Sequence, residues 1–281
     1  MVNINGIIIQ HKNAAIALDN RGLNYGDAVF ETLRLFAGRI FFWEDHYERL
    51  ITSMKILKME IPKVFSAAFL ESEILKTIDS FKTTTTSFRV KLLVWRKQGG
   101  KYTPKTNEIE YAIIAEILDS KKYTLYNSIY EVGVFEEHYI SSDTLSTLKT
   151  TNKIINVLGS IFAEENGYQN CFLLNKNQCV VEALNGNIFV VSGNKITTSS
   201  LAEGCLNGIM RKQLISILKG FSDYKFEETS ISMSELQTAD EIFITNVIQG
   251  IVPITKFQKK EYTSELAKCL LPKLNRKLRF N

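Results

Sequence analysis

Strand-like and helix-like stretches are interspersed along this chain of 281 residues, but not in strict alternation. That irregularity argues against a doubly wound parallel sheet, which needs a helix after nearly every strand. Residues 31–42 read as a hairpin: Thr32-Leu33-Arg34-Leu35-Phe36, a turn at Ala37-Gly38, then Ile40-Phe41-Phe42. His46, Leu50, Met54 and Leu57 recur near the helical period within 44–59, and 71–80 continues a second helix. Residues 88–95 and 108–117 read as strands on either side of a Gly99-Gly100 turn. Farther on, 154–163 and 207–218 read as helices, and 171–174, 180–182 and 187–191 as strands of a meander. Ser232-Met233-Ser234-Glu235 has capping-box spacing, 240–245 reads as a strand, and 264–278 reads as a last helix bent at Pro272. The polar stretch Asp119-Ser120-Lys121-Lys122 marks a linker. The expected class is mixed α/β, with an N-terminal domain over 1–118, a linker over 119–128 and a C-terminal domain over 129–281.

Hydrophobic residues make up 45% of the chain and charged residues 23%, as in an ordinary globular protein. The net charge of +4 is too small to point to nucleic acid, though it suits small anions. The densest basic stretch, 273–279, reads as a solvated helix end. Cys171, Cys179, Cys205 and Cys269 form no C-x-x-C pair, and there are three histidines in all. No metal site is expected, and the thiols read as reduced. The apolar run Ile7-Ile8-Ile9 is too short for a signal segment or a membrane span, so a cytoplasmic protein of retained length, with no membrane or nucleic-acid partner, is expected. No glycine pattern of a dinucleotide fold or a P-loop is present.

A few residues stand apart. Lys149, in Ser146-Thr147-Leu148-Lys149-Thr150-Thr151-Asn152, precedes an apolar helix. By itself it reads as a surface lysine near a helix start. Glu182 ends a strand after Val180 and Val181, and Asn185-Gly186 and Asn187 follow it. Gly204 to Arg211 opens a helix; free backbone N–H groups and the positive dipole end make such a start a site for an anion, and Gly208 permits close approach. A second loop of this kind, Thr245-Asn246-Val247-Ile248-Gln249-Gly250, follows a strand. Arg49 shares a helix face with His46 and Ser53, next to the apolar stripe, where it either reaches solvent or meets a buried anion.

Together these pieces resemble the class IV (fold-type IV) aminotransferase family over roughly residues 17–255. Asp19-Asn20-Arg21-Gly22 through Tyr25-Gly26-Asp27-Ala28-Val29-Phe30-Glu31-Thr32 resembles the family's opening motif. His46-Tyr47-Glu48-Arg49-Leu50 resembles its His-x-x-Arg-Leu helix, Leu148-Lys149 its Schiff-base lysine, and Glu182 with Asn187-Ile188-Phe189 its glutamate motif. Gly208-Ile209-Met210-Arg211 resembles its phosphate-binding Gly-Ile-Thr-Arg.

The resemblance implies pyridoxal 5'-phosphate (PLP) as cofactor. It implies a small N-terminal α/β domain and a larger C-terminal pseudo-barrel, with PLP held between domains of a homodimer. Lys149 would be the catalytic amine and Glu182 the partner of the pyridine nitrogen. Arg49, with Asn187, Gly208, Ile209, Met210, Thr245, Asn246 and Val247, would complete the cofactor set. The substrate, an amino compound with a carboxylate, is expected near Tyr25, Phe30, Arg96, Lys97, Lys101 and Asn152. There are departures. Met210 replaces the usual threonine, Thr245-Asn246 replaces a hydroxyl-rich triplet, and Ile154 stands where branched-chain enzymes carry tyrosine. Asn152, Asn246 and the Gly99-Gly100-Lys101-Tyr102 loop resemble the lyase branch. The leading expectation is therefore 4-amino-4-deoxychorismate lyase, which releases pyruvate and 4-aminobenzoate. Amino-acid transamination of branched-chain or D-amino acids with 2-oxoglutarate is the alternative, and a non-catalytic PLP-binding homologue stands behind both.

Overall fold

Alternation of apolar side chains builds the first sheet. The computed structural model describes residues 1–125 and 128–278. The expected linker over 119–128 includes Tyr126 and Asn127, and the basic stretch 273–279 includes Arg279; these three lie outside the described residues. Packing groups the chain into two units, Met1–Lys121 with Lys149–Asn152, and Lys122–Leu148 with Lys153–Asn281.

In the first unit, β1 (Val2–Ile4) and β2 (Ile7–Ile9) form a hairpin. The short helix α1 (Arg21–Tyr25) precedes β3 (Ala28–Phe36) and β4 (Arg39–Ile40). Ala37 and Gly38 join those strands with φ of 50° and 77°, the paired positive values that a tight two-residue hairpin needs. The return strand, expected through Phe42, stops at Ile40 because Phe42 turns to φ 56° as the N-cap of α2 (Trp43–Ile56). Then come α3 (Ala67–Asp79), β5 (Ser87–Arg96) and β6 (Ile109–Ile117). The strands pair antiparallel in the order β2-β1-β6-β5-β3-β4. Phe88, Val90, Leu92 and Val94 of β5 and Val29, Leu33 and Leu35 of β3 lie every second residue. They share one buried cluster with Leu50 and Met54 of α2 and Leu70 and Ile74 of α3. Glu31 stands in the middle of that β3 row and is also buried.

The second unit runs β7 (Glu131–Ile140), α4 (Ile154–Glu165), β8 (Asn170–Asn175), β9 (Val180–Ala183), β10 (Asn187–Ser192), β11 (Lys195–Ser199) and α5 (Ile209–Leu218). It continues through β12 (Lys225–Thr229), α6 (Met233–Thr238), β13 (Glu241–Asn246), β14 (Gly250–Ile254), β15 (Lys256–Phe257), β16 (Lys260–Glu261) and α7 (Glu265–Lys277). Two five-stranded sheets result, β12-β11-β10-β13-β14 and β16-β15-β7-β8-β9. The pairs β11–β12, β7–β15 and β7–β8 are parallel and the others antiparallel, the mixture that irregular spacing requires. Phe172 and Leu174 from one sheet meet Ile188, Val190, Ile242, Ile244 and Val252 from the other in one buried cluster.

Two helix starts here are held by side chains. Ser232 and Glu235 form the expected capping box on α6. The Glu241 carboxylate accepts the N–H groups of Leu266 and Ala267, 2.8 Å each, at the start of α7. No described helix is long and apolar enough to cross a membrane.

Tyr123 is buried within the second unit, and its hydroxyl donates to the Val247 carbonyl at 2.6 Å. Tyr123→Phe leaves that carbonyl one donor short, so thermal denaturation should show a loss of about 1–3 kcal/mol. An unchanged melting temperature would mean that the hydroxyl contributes nothing to stability.

Candidate functional site

In the first unit, the segment 149–152 lies along the beginning of β3, joined to it by a single β-bridge. Phe30 N–H donates to the Lys149 carbonyl at 2.9 Å, Thr151 N–H to the Ala28 carbonyl at 3.1 Å, and Val29 and Thr150 are antiparallel partners. Asn152 closes the segment by donating its side-chain amide to the Gly26 carbonyl at 3.1 Å. This pairing sets the Lys149 ammonium 4.6 Å from the centre of the Phe30 ring. A second lysine, Lys91 of β5, lies 4.8 Å from the same ring. Lys91 has no hydrogen bond or ion pair among the described residues. Burial pushes its pKa below the ordinary lysine value; Arg89 adds to that and Glu116 opposes it.

Behind β3, Glu31 meets α2. Its carboxylate accepts Arg49 Nε at 2.8 Å, a second bond from Arg49 Nη2, and His46 Nδ1 at 2.7 Å. Burial acts to raise the Glu31 pKa, but the Arg49 charge and the hydrogen bonds of His46 and Arg49 outweigh it and hold it at about 2. Burial pushes the His46 pKa below 6.5; Glu31 opposes the shift, while Arg49 and Lys149 add to it. The imidazole is therefore neutral at pH 7.

In the second unit, Leu206 is the meeting point. Its N–H donates to Glu182 Oε2 at 2.9 Å, and its carbonyl accepts the Asn187 side-chain amide at 2.8 Å. Gly208 N-caps α5 with extended backbone (φ −71°, ψ 135°), with no side-chain cap and no acidic residue in the first turn. The N–H groups of Ile209 and Met210 consequently have no acceptor among the described residues. A Cβ on Gly208 would fall 2.0 Å from Asn187 Oδ1, so any larger residue there must displace the Asn187 side chain. Asn187 also pairs with Thr245 across β10 and β13, and the buried Thr245 Oγ1 has no partner among the described residues. Asn246 shapes the following turn by accepting the N–H groups of Ile248 (3.1 Å) and Gln249 (2.8 Å), and Val247 is held by Tyr123. The second unit thus gathers Glu182, Asn187, Gly208, Ile209, Met210 and Thr245 around one backbone stretch.

The residues expected near the substrate separate. Phe30 lies against Lys149. Tyr25 is exposed and pairs with Tyr102, their ring centres 5.8 Å apart. The buried Arg96 gives its guanidinium to Asp27, Asn107 and the carbonyls of Leu57 and Lys58, a scaffold arrangement. Lys97 pairs with Glu108 at 2.9 Å, and Lys101 is exposed, with its carbonyl accepting from Arg21. Asn152 is held to Gly26. Sequence reasoning missed Lys91, and it named Glu31 only within the opening motif, without a role. Glu31 interrupts the apolar row of β3, so a charge out of pattern was the available signal for it, whereas Lys91 lies opposite the apolar face of β5, where a charge is in pattern and gives no signal.

The Glu31–His46 pair fixes a pH dependence. The unfolded chain protonates His46 near 6.5 while the fold resists, so stability is lost as pH falls below about 6.5. Glu31 contributes stability above 4.5 that is lost as pH falls toward about 2. Urea denaturation of His46→Gln should fall less steeply than wild type between pH 7 and pH 5. Parallel curves would refute a neutral buried His46.

The sequence profile of the family described as amino-transferase class IV matches residues 28–257. A D-alanine aminotransferase of Listeria monocytogenes is 26% identical over 263 residues, 90% of this chain and 86% of that protein. An aminodeoxychorismate lyase of Vibrio harveyi is 24% identical over 280 residues, 99% of this chain and 98% of that protein. The crystal structure of a branched-chain aminotransferase from Thermoproteus uzoniensis, determined with norvaline, superposes with a TM-score of 0.87 at 24% identity, over 98% of this chain and 93% of that one. With a profile that spans most of its length, this chain belongs to the class IV aminotransferases, a family of PLP enzymes.

Proposed function

We propose that this enzyme is a 4-amino-4-deoxychorismate lyase, and the observation that carries the reading is the pair of lysines on Phe30. The substrate of such an enzyme has two carboxylates, and an ordinary monocarboxylic amino acid has one. Lys91 supplies a second ammonium on the ring that Lys149 meets, and no hydrogen bond or ion pair among the described residues holds it. Asn152 and Asn246, which resemble the lyase branch, support the same reading. Amino-acid transamination is the second reading, because the first proton transfer is common to both reactions.

The residues present fit PLP. The open α5 amides and the orphaned Thr245 hydroxyl are donors that suit a phosphate, and Gly208 leaves room for it. Loss of the threonine hydroxyl at Met210 leaves the backbone donor intact. Arg49 would add charge to the phosphate side, and Glu182 would hold a proton on the pyridine nitrogen. When bound, the cofactor supplies an electron sink for negative charge on the substrate carbon. Lys149 takes the proton from the carbon that bears the substrate nitrogen. The bond from the ring to the enolpyruvyl oxygen then breaks, the group leaves as enolpyruvate and takes up a proton at its methylene carbon to become pyruvate, and the ring aromatises to 4-aminobenzoate. Lys91 binds a substrate carboxylate, and Phe30 shields both ammonium groups from water.

Incubation with 4-amino-4-deoxychorismate should release pyruvate and 4-aminobenzoate without 2-oxoglutarate. Lys91→Met should raise KM roughly tenfold with a smaller effect on kcat. Turnover of leucine or D-alanine that requires 2-oxoglutarate, with no 4-aminobenzoate formed, would overturn this choice in favour of transamination.

We also propose a homodimer. Ile154, Val157 and Ile161 recur on one side of α4 and are 67%, 50% and 47% exposed, and Leu145 nearby in sequence is 58% exposed. Such an apolar stripe is characteristic of a subunit contact. Sedimentation should give twice the chain mass, and Val157→Glu should lower it. An active monomer at working concentration would refute the proposal.

A further inference from the structure

Glu31 stands where its strand calls for an apolar side chain, and both Glu31 and His46 are buried. Burying ions costs several kcal/mol of solvation, and apolar residues of similar volume often serve stability as well. The cluster also leaves His46 Nε2 buried without a partner among the described residues, which counts against a purely structural role. Glu31 is ionised, so the proton in its 2.7 Å contact with His46 sits on Nδ1 and Nε2 carries a lone pair. The charged groups that act on the ring are Glu31 of β3, Arg49 of its own helix and Lys149 of the segment paired with β3.

We propose that Glu31 and His46 are positioning residues for the cofactor-binding cations. Glu31 fixes the plane of the Arg49 guanidinium by a two-point ion pair and locks His46 in the Nδ1–H tautomer. His46 thereby presents a neutral ring, in place of a third cation, to Arg49 and Lys149. The inference rests on the reading of Lys149 and Arg49 as cofactor residues given above. With Lys149 protonated, Glu31 offsets one of two cations. A charged His46 would leave three cations against one carboxylate and would weaken both the cationic form of Lys149 and the hold of Glu31 on Arg49.

The first measurement needs no cofactor. Imidazole nitrogen NMR of the apo protein, with His46→Gln to assign the signal among three histidines, should show one Nδ1–H tautomer whose titration lies below the ordinary histidine value of 6.5. Glu31→Gln should release the lock and give exchanging tautomers. In the PLP-loaded protein, Glu31→Gln should weaken PLP binding roughly tenfold and move the pH titration of the visible band down by about one unit. His46→Gln, whose amide can donate to Glu31 as Nδ1–H does, should bind PLP within about twofold of wild type. Should Glu31→Gln not fold by circular dichroism, Glu31→Asp keeps the charge but not the reach, and should retain the tautomer while PLP affinity falls. A wild-type tautomer in Glu31→Gln, or wild-type affinity and an unshifted band in the Glu31 variant that folds, overturns the inference. A Lys149→Ala protein that still develops the visible band overturns the assignment of Lys149 instead, and leaves the NMR result to stand by itself.

Discussion

Two backbone hydrogen bonds, Phe30 N–H to the Lys149 carbonyl and Thr151 N–H to the Ala28 carbonyl, decide where the Lys149 amine lies. They hold residues 149–152 to the first unit, although the chain on either side packs with the second. Lysine is among the most flexible side chains, and fixing its backbone to a sheet removes most of the positions its amine could otherwise take. The same register brings Phe30 beneath that amine and leaves Glu31, one residue on, facing α2. A single alternation along β3 therefore separates the surface that meets Lys149 from the buried carboxylate behind it.

Much of the secondary structure was legible because period and punctuation agreed. The β3–β4 hairpin followed from an apolar run ending at Ala37-Gly38, and the α6 start followed from Ser232 and Glu235. Some of the elements that were not foreseen have a weak local signal. β11 and β12 are polar or charged on much of their length, and their parallel pairing joins segments that no turn connects. The excursion of 149–152 into the first unit is likewise a long-range choice. Nothing in Leu148-Lys149-Thr150 states which distant strand will receive it.

The candidate site divides in the same way. Glu182, Asn187, Gly208 and Thr245 lie on separate elements, and resemblance rather than periodicity singled them out; the bonds through Leu206 then explain how they come together. The basic residues around Gly99-Gly100 were attractive because they are close in sequence. Arg96, however, is a buried brace for Asp27 and three neighbouring acceptors, and Lys97 turns to Glu108. Lys91 was passed over because a lone lysine within a strand reads as solvated, and exposure of that sheet face is a property of the assembled protein. Charge alone was visible in the sequence; its desolvation was not.

The start of α5 carries a consequence for how this sequence can drift. Its donors belong to the main chain, and what shapes them is the missing side chain of Gly208. Positions 209 and 210 can exchange one apolar residue for another, or lose a hydroxyl, while the partial positive charge at the helix start stays in place. A side chain at position 208 must instead displace Asn187. An anion site of this construction ages unevenly: its visible letters wander freely around one fixed blank.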